Sequence, residues 1–206
     1  MDIARRNLVA GMGVVTAAAA APLLFGRRPA ALPEVAPPMV RPLALPPAAA
    51  APAAAKDVRR VLVHNLHTGD KLDAVYFENG KYVADALSEA MKVLRDWRNG
   101  EEHFMDPRLF DLMHGVRSRL EVAGPFQIIS GYRSPQSNAE MHAHSHQVAE
   151  HSQHMLGKAL DVRVDGVPLE RLHKAALSMG AGGVGFYPTS NFVHMDVGRV
   201  RHWSGT

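Results

Sequence analysis

The chain contains no cysteine. This absence excludes disulfide bonds and every metal site that depends on thiolate ligands. It is compatible with an oxidising compartment, although it does not require one. A metal site in this chain would therefore have to be built from histidine and carboxylate side chains.

Aromatic residues and clusters of positive charge are also scarce. Only 6% of the 206 residues are aromatic, and the formal net charge is +3, with the basic residues scattered along the chain. A nucleic-acid-binding surface normally gathers its basic residues on one face or stripe, so we expect no nucleic-acid partner. The mild positive charge suits a surface that lies near acidic polymers such as bacterial cell wall or phospholipid headgroups.

Residues 1–26 are expected to form a twin-arginine-type export signal or a membrane anchor. Arg5-Arg6 precedes an apolar run over residues 8–25 that is rich in alanine and glycine. An arginine pair ahead of such a stretch is typical of signals read by the Tat export machinery. Export predicts a location in the periplasm or cell envelope, with membrane contact only through an uncleaved N-terminal segment. The anchor stays open because the run approaches the length that spans a bilayer.

Residues 27–56 form a tract rich in proline and alanine, including Pro37-Pro38 and Pro46-Pro47. Prolines at this density prevent helix propagation and favour the extended polyproline II conformation. We therefore interpret this tract as a semi-rigid linker. The folded domain is expected to begin near Asp57 and to occupy residues 57–206.

The pattern of residues 57–206 predicts an α+β fold with a small antiparallel sheet and flanking helices. Strands are expected over residues 60–66, 71–77, 126–129 and 159–164, and helices over residues 86–98, 107–122 and 169–179. Asn79-Gly80 is a strong tight-turn signal, and a hairpin over residues 183–197 is expected to close the domain. We assign no function to the helix containing Trp97, and Tyr187 and Trp203 are expected to be core or rim aromatics.

Two separate segments carry side chains that ligate metals. SQHMLGKALD (152–161) contains His154 and Asp161, and FVHMD (192–196) contains His194. Two imidazoles and one carboxylate form a complete protein ligand set for a catalytic zinc, whose fourth position stays open for a water that the metal acidifies. Gly157 permits the turn that brings the first two ligands to the same metal. The spacing therefore predicts a zinc hydrolase.

Together with SGYRSP (130–135), these motifs resemble the D-Ala-D-Ala metallopeptidase group, which shares a zinc superfamily with lysostaphin and the hedgehog N-terminal domain. Most of residues 57–203 are similar to the YcbK-like branch of murein endopeptidases. The resemblance implies the fold of that superfamily, zinc bound by His154, Asp161 and His194, and hydrolysis of peptidoglycan peptide stems. It also implies that Arg133 faces the metal and stabilises the oxyanion formed at the attacked carbonyl.

The motifs leave the proton carrier open. Members of the group place a glutamate three residues, or a histidine two residues, before the last ligand, where this chain has Asn191 and Phe192. Asp196 lies two residues after that ligand and on the same face of a strand. It is therefore either the general base or the partner that orients a histidine ligand. Glu150 and His151 are the alternative carriers.

Four further histidines crowd a polar segment, namely His142, His144, His146 and His151. We expect them to be exposed rather than to bind the catalytic zinc, and in that setting they can scavenge metal or sense pH.

Two other functions stay open alongside the endopeptidase. One is a carboxypeptidase or dipeptidase that acts on free muropeptides, which a deep pocket closed by long loops would favour. The short connection before His194 favours a more open groove instead. The other is a zinc-bearing module that binds the cell wall without turnover, which the absence of the usual general base keeps open.

Overall fold

A computed structural model describes residues 57–145 and 148–205. The predicted signal at residues 1–26, the linker at residues 27–56 and His146 lie outside the described residues. The elements are β1 (Arg59–Asn65), β2 (Lys71–Glu78), β3 (Lys81–Tyr82), α1 (Ala84–Val93), α2 (Arg108–Leu120), β4 (Phe126–Ser130), α3 (Pro135–His144), a 3-10 turn (Gln153–Leu156), β5 (Ala159–Val164), α4 (Leu169–Leu177), β6 (Gly183–Tyr187), β7 (Phe192–Asp196) and β8 (Arg201–Ser204). None of the helices in these ranges is long and apolar enough to cross a membrane.

One sheet of eight strands runs through the domain in the order β3-β2-β1-β4-β5-β7-β6-β8. Two neighbouring pairs, β1 with β4 and β6 with β8, are parallel, and the other pairs are antiparallel. The predicted mixture of helices and strands is confirmed, but the sheet is larger than predicted and not wholly antiparallel. The short edge strands β3 and β8 carry no run of alternating apolar residues, so sequence periodicity does not reveal them.

The helices pack on the sheet through apolar side chains. α1 contacts β2, α2 contacts β1 and α4, and α4 contacts β5, β6 and β7. Leu109, Phe110 and Leu172 are among the fully buried side chains of these helices. The central strand β5 is buried along almost its whole length, which places Asp161 in the interior rather than on the surface. Burial of apolar area of this kind is the main source of the stability of the fold.

The helix predicted over residues 86–98 ends earlier, at Val93, and the prediction of its last turn is wrong. Tertiary hydrogen bonds replace the missing turn. The Leu94 carbonyl oxygen accepts from the Tyr132 backbone N–H at 2.8 Å, and one Asp96 carboxylate oxygen accepts from the Ser134 N–H at 2.9 Å. Trp97 therefore lies on a loop that is tied to the segment after β4.

Helix α3 was not predicted, because its sequence PQSNAEMHAH has no apolar stripe. Its start is nevertheless marked in the sequence. The Ser134 side chain accepts a hydrogen bond from the Ser137 N–H at 3.2 Å, and Pro135 occupies the first helical position. Serine followed by proline is a favourable pair at a helix N-terminus.

The predicted turns are confirmed. Asn79 and Gly80 have φ values of 52° and 77°, as a tight two-residue hairpin turn requires. β6 and β7 pair antiparallel as the predicted hairpin, although β8 follows them, so this hairpin does not close the domain.

Candidate active site

Three side chains from separate elements meet in the interior. His154 lies in the 3-10 turn, and Asp161 on β5 pairs directly with His194 on β7. His154 Nε2 is 3.2 Å from Asp161 Oδ1, and His194 Nδ1 is 2.9 Å from the same oxygen. The two imidazole nitrogens are 3.2 Å apart. The structure thus brings together the three residues predicted as the ligand set, and all of them are buried.

The turn between the first two ligands depends on Gly157. Its φ is 63°, and a Cβ atom at this position would lie 2.0 Å from the Phe104 carbonyl oxygen. Its own carbonyl oxygen accepts from the Asp106 N–H at 2.9 Å, which ties the turn to the start of α2. Any side chain at residue 157 would therefore both strain the backbone and displace a neighbour.

The outer hydrogen bonds of the two imidazoles decide what their inner nitrogens can do. His154 Nδ1 is 2.7 Å from the Gly131 carbonyl oxygen, and His194 Nε2 is 3.1 Å from Asp196 Oδ2. Each contact fixes the tautomer that donates outward and leaves a lone pair on the inner nitrogen. Two such lone pairs and the Asp161 carboxylate then converge without a donor between them. This arrangement fits a bound cation, and a donor set of two nitrogens and one oxygen suits zinc.

The protonation states agree with a ligand role. Burial lowers the pKa of His154, which favours the neutral imidazole. Burial by itself raises the pKa of Asp161, but His154 and His194 outweigh it and hold this pKa well below its usual range. For His194 burial lowers the pKa, whereas Asp161 and Asp196 outweigh it and raise the pKa. Protons therefore compete with a cation for His194 more than for the other two ligands.

Asp196 lies on the outer side of His194 and is fully buried. Besides His194 Nε2, its carboxylate accepts from the backbone N–H groups of Gly183 at 2.9 Å and Gly198 at 2.8 Å, and from Arg201 Nη2 at 2.7 Å. Burial raises its pKa, but these donors outweigh it and hold the pKa far below the usual range. In this geometry all the contacts of the Asp196 carboxylate favour the orienting role, and the role of general base stays a prediction.

Arg133 follows β4 and faces the ligand cluster. Its side chain is buried, with Nη2 4.0 Å from Asp161 Oδ2 and Nη1 donating to Asn138 Oδ1 at 3.3 Å. Its Nε has no partner among the described residues. Burial lowers the pKa of Arg133, and Asp161 opposes that effect. Donors held in place beside the cluster are what the predicted oxyanion role requires.

The ligand cluster forms the floor of a cleft of about 760 Å³. Besides the ligands and Arg133, its lining includes ionisable and aromatic side chains, namely His67, Trp97, Arg98, His144, His151, Tyr187, Phe192, Arg201 and Trp203. Asp161 is the only carboxylate residue of this lining within the described part of the chain, and Glu150 does not take part in it.

Residues 53–203 match the family described as Peptidoglycan L,D-endopeptidase MepK (Peptidase_M15_2). The chain belongs to this family. The peptidoglycan L,D-endopeptidase MepK of Escherichia coli strain K12 is 43% identical over 145 residues, which are 70% of this chain and 80% of the relative. The probable peptidoglycan L,D-endopeptidase MepK of Haemophilus influenzae is 38% identical over 148 residues, which are 71% of this chain and 80% of that relative. No solved structure gives a significant match.

Membership of the MepK family confirms the resemblance that the three motifs indicated. It also confirms that the chain is a peptidase, and it confirms the interpretation as a murein endopeptidase at the level of the family. The name of the family and of these relatives is that of an endopeptidase, rather than of a carboxypeptidase or a binding module.

One wall of the cleft is aromatic. The Tyr187 hydroxyl accepts a hydrogen bond from Trp203 Nε1 at 2.8 Å, and the Trp203 ring lies 5.2 Å from the His194 ring. Gly185 leaves room for this packing, because a Cβ atom there would lie 2.6 Å from the indole. These two aromatics therefore lie beside the ligand cluster, and the Tyr187 hydroxyl keeps its own proton to donate.

Three further lining residues, which we call the missed wall, are His67, Trp97 and Arg98. The sequence predicts Trp97 and Arg98 on a helix without function. No motif marks them, because their place in the cleft depends on the early end of α1. Of the four crowded histidines, His142, His144 and His151 are exposed as predicted. His144 and His151 nevertheless line the cleft.

Proposed function

We propose that this chain is a zinc-dependent L,D-endopeptidase that hydrolyses peptide cross-links of bacterial peptidoglycan. The observation that carries the proposal is the convergence of His154 Nε2, Asp161 Oδ1 and His194 Nδ1 at the floor of a cleft that also contains Arg133. The names of the relatives supply the substrate and the L,D type of bond. The sequence by itself does not distinguish D,D from L,D cross-links.

Zinc, when bound, supplies a Lewis acid that polarises a carbonyl and acidifies water. His154, Asp161 and His194 would hold it. Gly131 and Asp196 would act on the ligands rather than on the metal. They fix the tautomers of the two imidazoles, so that both present a lone pair to the same point.

Arg133 is proposed to stabilise the negative charge that develops on the carbonyl oxygen of the scissile amide. Its Nε is unpartnered, and its Nη1 is held by Asn138. Its backbone N–H donates to the His154 carbonyl oxygen at 3.3 Å, which links the position of this arginine to that of a ligand. A donor fixed before the reaction needs no reorganisation when the charge appears.

His151 is proposed as the proton carrier. Asp196 already accepts hydrogen bonds from both sides, and Asp161 is a ligand. Of the two alternative carriers considered from sequence, His151 lines the cleft and Glu150 does not. An imidazole can accept a proton from water through one ring nitrogen and return it to the leaving amine.

Export is proposed on the sequence pattern of residues 1–26, with residues 27–56 as a linker that holds the peptidase domain of residues 57–206 away from the membrane. Replacing Arg5-Arg6 by two lysines should retain the protein in the cytoplasm. Cell fractionation measures this, and unchanged periplasmic recovery would contradict a twin-arginine signal.

The activity is tested by digesting muropeptide dimers that contain one defined cross-link, either L,D or D,D, with the purified chain. We expect the L,D dimer to be converted to monomers, chelator to stop the reaction, and added zinc to restore it. An L,D dimer that stays intact after zinc addition would overturn the proposed activity. Cleavage of the D,D dimer alone would overturn the proposed bond type.

A further inference from the structure

Arg98 occupies a defined position in the missed wall of the cleft. Its guanidinium carbon lies 4.4 Å from the centroid of the Trp97 ring, within the range of a cation–π contact. The Trp97 ring stacks in turn on His67, with centroids 4.0 Å apart and an interplanar angle of 10°. All three side chains line the same cleft as the ligand cluster.

The guanidinium group of Arg98 makes few polar contacts within the described part of the protein. Its carboxylate neighbour Asp96 is 3.5 Å from Nη1, at the limit of a hydrogen bond. Asp96 makes shorter hydrogen bonds to two backbone N–H groups, of Ser134 at 2.9 Å and of Arg98 itself at 3.1 Å. Arg98 Nε and Nη2 have no hydrogen-bond partner among the described residues, and 26% of the side-chain surface is exposed. A planar pair of donors therefore remains free for a ligand.

The loop that carries Arg98 is fastened to the segment that carries Arg133. Asp96 and Asn99, on either side of Arg98, both bind Ser134, the residue that follows Arg133. The Asn99 Nδ2 to Ser134 Oγ distance is 2.9 Å. Hydrogen bonds on both sides of Arg98 therefore hold the two arginine-bearing segments together, which limits the entropy lost when both bind one substrate.

Three arginines, Arg98, Arg133 and Arg201, line the described part of the cleft, and the carboxylate nearest to Arg98 is Asp96, which lies outside the lining. Arg201 is paired with Asp196, and Asp161 belongs to the ligand cluster, so no carboxylate of the described lining is left to neutralise Arg98. A cleft of this composition attracts an anionic group and disfavours a cationic one.

We propose that Arg98 binds a free carboxylate next to the scissile amide and thereby selects the cross-links that are cleaved. The inference rests on the proposed function. In an L,D cross-link the carbonyl of the L-centre is part of the bond itself. The nearest carboxyl group is therefore the one on the D-centre that carries the leaving amine, and it is ionised only where it is not amidated. Arg133 then contacts the carbonyl oxygen and Arg98 the carboxylate.

The test compares two synthetic L,D dimers that differ only in whether this carboxylate is free or amidated. For the wild-type protein we expect kcat/KM to be at least about tenfold higher for the free carboxylate, the size of one charge-assisted hydrogen bond. Arg98→Gln should lose most of this preference by slowing cleavage of the free-carboxylate dimer. Arg60→Gln is the control, because Arg60 is exposed, pairs with Asp73 at 2.7 Å and does not line the cleft.

Equal kcat/KM values of the wild type for the two dimers would overturn the inference. An unchanged preference in Arg98→Gln would also overturn it, as would an equal loss on both dimers, which indicates a merely structural role. Arg98→Lys keeps the positive charge but loses the planar pair of N–H donors. This variant should therefore retain part of the preference for the dimer with the free carboxylate.

A binding measurement separates this inference from the proposed activity. Isothermal titration of chelator-treated protein should show at least about tenfold tighter binding of the free-carboxylate dimer, and Arg98→Gln should remove the difference. If the wild type shows this preference in binding but the zinc-loaded protein cleaves neither dimer, the activity fails and the inference stands. If it cleaves both dimers at equal rates and binds them equally, the inference fails and the activity stands.

Discussion

The floor of the cleft and its missed wall are built in different ways. The floor consists of His154, Asp161 and His194, with Asp196 behind His194. The wall residues are His67, Trp97 and Arg98 of the missed wall, together with His151. Every floor side chain is buried, and each one makes at least two polar contacts. The wall residues are exposed and are held mainly by ring stacking and by the backbone of their loops.

This difference separates two tasks. A buried and fully bonded floor holds ligand atoms in fixed tautomers, which metal binding requires. An exposed wall with free donors can exchange water for substrate groups and can move protons to and from solvent. We therefore expect substitutions in the floor to change metal binding, and substitutions in the wall to change turnover or selectivity while the metal stays bound.

The largest effect is expected for His154→Ala in the floor. Removing a ligand should abolish detectable endopeptidase activity and lower zinc affinity by more than the roughly 10–100-fold typical of an outer partner. Activity assays and zinc content after dialysis measure the two effects. His142→Ala is the matched control, because this histidine is exposed and does not line the cleft. Full zinc occupancy in His154→Ala would contradict the assignment of metal binding to the floor residues.

In the wall, His151→Gln should lower kcat by about 10²–10⁴-fold, the usual contribution of a positioned acid–base group, with zinc content unchanged. The adjacent substitution Glu150→Gln should leave kcat close to that of the wild type, because Glu150 does not line the cleft. A loss in Glu150→Gln that equals the loss in His151→Gln would remove His151 from the proposed role.

Arg133 lies between the two regions, since it is buried like the floor yet has a free donor like the wall. Arg133→Gln should lower kcat by about 10²–10³-fold, as the loss of an oxyanion donor does, while the KM and the zinc affinity change little. Steady-state kinetics together with a chelator competition assay separates these quantities. A large fall in zinc affinity would instead assign Arg133 to the floor.

The smallest of these effects is expected for Asp196→Asn. The amide nitrogen would face one of the surrounding donors, so His194 would lose its fixed tautomer and zinc affinity should fall by about 10–100-fold. Asp165→Asn is the control, because Asp165 is exposed. Unchanged zinc affinity in Asp196→Asn, together with a large loss of kcat, would return the general-base role to Asp196.

The floor could be predicted from the sequence because its geometry is local. The first two ligands are seven positions apart, with Gly157 at the turn between them, and strand pairing brings the third beside the second. The orienting role of Asp196 could only be proposed as one of two, because a place on the same strand face as His194 does not say on which side of the imidazole the carboxylate lies.

The places of His67, Trp97 and Arg98 in the cleft could not be predicted, because they depend on contacts between distant segments, whereas His151 is among the proton carriers that the sequence suggests. Helical spacing of apolar residues continues past Val93, but the hydrogen bonds of Leu94 and Asp96 to the segment after β4 end the helix there. That change of path places Trp97 against His67, a residue from the loop after β1. Tertiary hydrogen bonding outweighs helix propensity at this point.

The most direct test of the metal centre is a crystal structure of the zinc-loaded protein with anomalous diffraction measured at the zinc absorption edge. We expect one strong anomalous peak per chain, within about 2.0–2.2 Å of His154 Nε2, Asp161 Oδ1 and His194 Nδ1. A strongest peak at the histidines of residues 142–151, or none at the three ligand atoms, would contradict it.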